Sequence, residues 1–188
     1  MTETTETKKG VPLWTQIVIW VFVAALLALV GITLNKRQQG TVQPGDKIPD
    51  FTLPLFSGYE YNGQSEVKLS NFEGKLVVLN FWASWCKPCQ QEAAELEEAW
   101  KFYQDRDDVV FLGIDYVDTE PEARAYLGKF GITFFNGPDM GTKISQIFRV
   151  RGVPETYFID QSGTLYYVKV GPFTSVNEIK SIIDQQLP

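Results

Sequence analysis

The sequence predicts an α/β domain whose sheet is covered by helices on both faces, preceded by a single transmembrane helix. Three observations carry that expectation. Two apolar runs, LVVLNFW (76–82) and VVFLGIDY (109–116), are continuous rather than alternating, as in strands buried on both faces. Helical and strand-like segments follow the order strand–helix–strand–helix, then hairpin–helix. No charged residue falls between Lys9 and Lys36.

The chain opens with a polar tail, residues 1–12, whose first ten, MTETTETKKG, are mixed in charge and read as disordered. The apolar core IVIWVFVAALLALVGITL (17–34) follows, and the span 13–34 can cross a hydrocarbon layer of about 30 Å as a helix. A buried helix of a soluble protein needs a polar stripe, which is missing here. A cleaved signal peptide needs a shorter apolar region and a small-x-small site, and none precedes Asn35. The segment is therefore expected to stay as an anchor. Charge does not orient it, because Lys8 and Lys9 on one side balance Lys36 and Arg37 on the other. Residues 35–46, NKRQQGTVQPGD, read as a linker, and 47–188 as the folded domain.

Within the domain, FTLPLF (51–56) is an irregular start and VKLS (67–70) a short strand. After the buried run 76–82, a helix is expected from about Lys87 to Gln104. Ala93, Leu96, Trp100 and Tyr103 share one face of it, and Glu95, Glu97, Glu98 and Lys101 fall mostly elsewhere. The strand at 109–116 leads to a second helix, PEARAYLGKF (121–130), stopped by Gly131. ITFF (132–135) reads as a strand and GTKISQIF (141–148) as a short helix. ETYFID and TLYYVKV form a hairpin around Gln161, Ser162 and Gly163, and SVNEIKSIIDQQL (175–187) closes as a helix.

Composition narrows the chemistry. The 188 residues carry a formal charge of −6, which disfavours nucleic acid as a partner, and they include no histidine. That removes Ser-His-Asp and Cys-His catalysis, histidine haem ligation and mixed Cys/His metal sites. Both cysteines lie in FWASWCKPCQQE (81–92), at the junction of a strand and a helix.

Cys86 falls at the helix N-terminus, where free N–H groups and the helix dipole favour a thiolate, the attacking species. Cys89, one turn further in, is placed to close a disulfide with it. Pro88 is tolerated in the first turn. Zinc needs four ligands, haem attachment needs a histidine where Gln90 stands, and a structural disulfide closing so small a loop adds little stability. Redox activity is the reading that remains against two inert buried thiols.

VVLNFWASWCKPC with its amphipathic helix, and GVPETYFID later, resemble a thioredoxin-fold protein. More narrowly, residues 45–188 resemble the membrane-anchored TlpA/ResA/DsbE group of thiol-disulfide oxidoreductases linked to cytochrome c maturation. GVPETYFIDQSGTLYYVKVG (152–171) is similar to the DsbE (CcmG) branch, and GDKIPDFTLP (45–54) is shared with the wider peroxiredoxin-like family.

The resemblance implies a mixed central sheet flanked by helices, with an N-terminal β extension. It also implies a Cys86–Cys89 disulfide, with Cys86 as nucleophile and Cys89 as resolving thiol. Pro154 is expected to be cis, freeing the Val153 backbone to pair with an extended peptide, and Trp85 to flank the site. Asn80 replaces the buried acid of cytosolic thioredoxins, so proton handling falls to Glu92 or Glu155. No metal and no cofactor is implied.

The expected partners are a membrane dithiol donor of the CcdA or DsbD type and oxidised apocytochrome c. The resemblance also breaks the orientation tie: N-terminus in the cytoplasm, domain outside the cytoplasmic membrane. Three other functions compete. A general extracytoplasmic reductase has the same chemistry with other clients. A peroxiredoxin-like peroxidase lacks its Pro-x-x-x-Thr/Ser-x-x-Cys setting, and a copper chaperone lacks its histidine.

Overall fold

The structure is a computed structural model and describes residues 12–38 and 42–187. The tail expected over 1–12 lies outside those residues, apart from Pro12. The chain divides into an N-terminal unit and a domain beginning at residue 41. Among the described residues the first holds one helix, α1 (Leu13–Gln38), which extends four residues past the expected end of the anchor. Its Leu13–Ile32 stretch is long and apolar enough to cross a membrane. The linker is also shorter than expected at its far end. Gly45 and Ile48 donate to the carbonyls of Leu165 and Gly163, and Leu165 donates back to Asp46, so residues 45–48 belong to the domain.

The domain is a five-stranded mixed sheet in the order β5–β4–β3–β6–β7. Strands β3 (Leu76–Trp82), β4 (Val109–Asp115) and β5 (Phe135–Pro138) are parallel. Strand β6 (Glu155–Ile159) runs antiparallel to β3, and β7 (Leu165–Val170) antiparallel to β6. A separate antiparallel pair, β1 (Thr52–Pro54) and β2 (Glu66–Lys68), forms the N-terminal extension and packs by β5.

Strands β3 and β4 are buried at every position because each serves two cores. Leu76, Val78 and Trp82 point to one cluster, and Val77, Leu79 and Phe81 to the other. The first cluster is closed by α2 (Lys87–Tyr103), α3 (Glu120–Phe130) and α5 (Val176–Asp184). The second is closed by the β1–β2 extension, a 3-10 turn over Leu69–Phe72 and the short α4 (Lys143–Phe148).

Two sequence expectations shift. The strand expected at ITFF begins only at Phe135. Thr133 is held away from the ladder, its N–H and hydroxyl both donating to Glu97 of α2, while Ile132 and Phe134 are drawn into the first core. Glu97 is consequently buried rather than on a solvated face.

Candidate active site

The cysteine pair sits where β3 ends and α2 begins. Cys86 caps the helix, with backbone φ −82° and ψ 104°, and its Sγ accepts the N–H of Cys89 at 3.1 Å. A sulfur in that position is the natural seat of a thiolate, since it replaces water on an otherwise unpaired helix N–H. Cys86 and Cys89 are joined in a disulfide, with Cα atoms 5.3 Å apart. From across the site the carbonyl oxygen of Val153 approaches to 3.3 Å from Cys86 Sγ, and the Val153–Pro154 peptide is cis. Trp85 stands 62% exposed beside the pair. Cys86 itself is only 3% exposed, less open than a sulfur presented freely to clients, with the Val153 carbonyl of the loop before β6 set against it.

Behind the cysteines lies a polar network inside the first core. Glu92, one turn beyond Cys89 on α2, is 1% exposed. Its Oε1 accepts from the Asn80 amide at 2.8 Å and its Oε2 from the Phe173 backbone N–H at 3.0 Å. Asn80 also donates to the Thr156 hydroxyl, which faces it in the β3–β6 register. Burial pushes the Glu92 carboxyl up to about 7, and the two donated bonds only partly offset that. Glu92 is therefore a core carboxyl and not one of the solvated acids common on helix faces.

Glu155 is placed differently. It precedes Thr156, which faces Asn80, so strand alternation turns it to the other face of the sheet. There it accepts from the Tyr157 hydroxyl at 2.6 Å and from the Arg151 N–H at 3.2 Å. The two candidate carboxylates therefore do not converge, and only Glu92 shares the α2 face that buries Cys89.

Trp82 is a core residue, stacked on Tyr126, whose hydroxyl donates to the Cys89 carbonyl at 2.9 Å. Tyr126, Thr156 and Asn136 carry no local signal in the sequence, since each is an ordinary residue until the fold aligns it. Among the described residues, no group of three or more acidic or cysteine side chains could hold a metal ion.

Comparison with known proteins places this geometry. Residues 44–168 match the model of the AhpC/TSA family. The chain belongs to that family. Among its relatives, the thioredoxin-like protein YneN of Bacillus subtilis is 33% identical over 165 residues, covering 82% of this chain and 91% of YneN. The thiol-disulfide oxidoreductase ResA of Geobacillus kaustophilus is 30% identical over 152 residues, covering 79% of this chain and 83% of ResA. A solved thiol:disulfide interchange protein of the DsbE type from Chlorobium tepidum aligns with a TM-score of 0.65 at 27% identity, covering 78% of this chain and 96% of that one. This AhpC/TSA-family member has a thioredoxin-like fold, and its helix-capping Cys-x-x-Cys pair makes it a thiol-disulfide oxidoreductase.

Proposed function

We propose that the protein is a membrane-anchored reductant that acts outside the cytoplasm on the disulfide of oxidised apocytochrome c. Helix α1 is the anchor, with the N-terminus inside, and a membrane dithiol protein of the CcdA or DsbD type restores the reduced state. One observation carries the reading: the nucleophile's sulfur lies 3.3 Å from the Val153 carbonyl, so an extended peptide pairing at Val153 brings its own sulfur to Cys86.

In the forward reaction the Cys86 thiolate attacks one sulfur of the client disulfide, and the departing client sulfur takes up a proton. Cys89 then loses its proton and attacks Cys86 Sγ. The second client thiol is released, and the Cys86–Cys89 disulfide retains the oxidation. Two electrons pass from the dithiol to the client, and of the two protons the client thiols gain, one balances that lost by Cys89 and the other comes from water. Glu92, buried on the Cys89 side with a near-neutral proton affinity, is assigned the proton of Cys89.

The test is the Cys89→Ser chain expressed in its own membranes, followed by mass spectrometry of the trapped mixed disulfides. Apocytochrome c captured through its CxxCH segment supports the proposal. Capture of other extracytoplasmic proteins alone would make this a general reductase, and capture of nothing would remove the exchange mechanism.

A further inference from the structure

Beneath the loop that delivers Cys86 lie two carboxyl groups that the exchange reaction does not use, and one of them is bonded to the loop. Strand β4 ends at Asp115, opposite Trp82 in the sheet register and 0% exposed. Among the described residues, none donates an N–H or O–H to either of its carboxyl oxygens. Asp118, also buried, accepts the backbone N–H of Ser84 on Oδ2 at 2.5 Å. Ser84 is held from its other side as well, its carbonyl accepting from the Gln90 amide of α2 at 3.2 Å.

The two aspartates meet because the chain between them turns sharply. Tyr116 donates its N–H to the Trp82 carbonyl at 2.7 Å, and Val117 takes φ 63°, a left-handed conformation that a β-branched residue rarely adopts. The turn brings Asp118 within hydrogen-bonding reach of Asp115. Two bare carboxylates so close in a dry site repel strongly, and Asp115 has no other donor to satisfy it. A single proton resolves both difficulties. Asp115 then donates an O–H to Asp118, and Asp118 keeps its charge while accepting from Asp115 and from Ser84.

We propose that Asp115 and Asp118 are positioning residues for thiol–disulfide exchange: they share one proton, and the resulting carboxyl–carboxylate pair fixes the Ser84 amide and with it the Trp85–Cys86 segment. The proposal rests on the exchange reading above for its consequence, though not for its geometry. The groups acting on Asp115 all push the same way. Desolvation acts first, then Asp118, Asp139 beyond β5 and Glu122 of α3, and together they raise its carboxyl to about 8. Below that pH the pair holds its proton and the latch is closed. Above it Asp115 loses its proton, and the repulsion between the two carboxylates loosens the grip on Ser84.

The experiment uses the full chain in detergent micelles, with wild type, Asp115→Asn and Asp115→Leu compared. In Asp115→Asn an amide donor replaces the titrating proton. The backbone amide resonance of Ser84 is expected to titrate with a midpoint near 8 in wild type and to stay flat in Asp115→Asn. A wild-type resonance that does not move between about pH 6 and about pH 9.5, or one that still titrates in Asp115→Asn, overturns the shared proton.

Exchange with a model disulfide is read on the same samples. Asp115→Asn should match wild type near pH 6 and exceed it severalfold near pH 9.5, whereas Asp115→Leu should be slower at both. Coincident profiles for all three would overturn the positioning role. Because the resonance is read without any client, failure of the exchange reading would show as an inactive wild type and would leave the Ser84 titration to judge the pair.

Discussion

The indole N–H of Trp82 donates to Oδ1 of Asn136 at 2.8 Å, spanning from β3 to β5 over the strand between them. The bond passes over Gly113, where an added Cβ would lie 1.8 Å from Asn136 Oδ1 and 3.0 Å from Trp82 Nε1. The glycine is thus a packing requirement of the strand that leads into the Asp115 turn. Gly113→Ala is expected to displace Asn136 and leave Trp82 without its acceptor. Overpacking and the lost buried bond together should cost about 2–4 kcal/mol in denaturant unfolding. A loss below about 0.5 kcal/mol would show that the bond re-forms without strain.

Cys86 caps α2 and Cys89 lies within it, so the two thiols should separate cleanly in function. Cys86→Ser is expected to abolish insulin-disulfide reduction. Cys89→Ser should still form the mixed disulfide but turn over only once. Retained multiple turnover in either variant, measured by turbidity, would contradict the assigned order of attack.

Both cysteines border the first core, but Trp85, Lys87 and Pro88 around Cys86 are exposed, whereas Cys89 lies a turn further into the helix. In the reduced protein iodoacetamide should therefore modify Cys86 well before Cys89, as read by peptide mapping. Equal labelling, or labelling of Cys89 first, would place the nucleophile elsewhere.

Glu92 and Asp115 give the domain a pH-dependent stability of definite sign. Both are ordinary acids when unfolded, with reference values of 4.5 and 3.8, and both bind protons more tightly when folded, to about 7 and about 8. Between those limits the folded state holds more protons than the unfolded one. Stability is therefore greatest at the acid end and declines as pH rises from about 4 to about 8. Thermal unfolding followed across that range should show the decline, and Glu92→Gln should flatten part of it. A stability that rises through the window would mean that neither group is buried in its neutral form.

The same substitution separates the two candidate proton carriers. Glu92→Gln should remove the inflection near pH 7 from the exchange rate profile, whereas Glu155→Gln, on the opposite face and held by Tyr157, should leave it in place. The reverse result would return the role to Glu155.

The sheet and its helices are readable in the sequence because β3 and β4 are nearly continuous apolar runs, interrupted only by Asn80, Gly113 and the terminal Asp115, and α2 repeats its apolar residues at helical spacing. The capping position of Cys86 is equally readable, since it depends only on where a strand stops and a helix starts. What was not readable depends on register. Whether Glu155 faces the cysteines is decided by the pairing of Phe81, not Asn80, with residue 155. The Asp115–Asp118 pair depends on a left-handed turn at Val117, where valine is not an expected residue. Thr133 leaves its strand because of a glutamate 36 residues earlier, a partner that no local pattern announces.

The contacts that hold Glu92 come from residues 80 and 173, with residue 156 steadying the first of them. A nascent chain in which α2 has already coiled, but β6 and the segment after β7 have not docked, carries only a common surface acid at that position. Immature copies emerging from synthesis should accordingly lack the raised proton affinity that the finished fold gives Glu92.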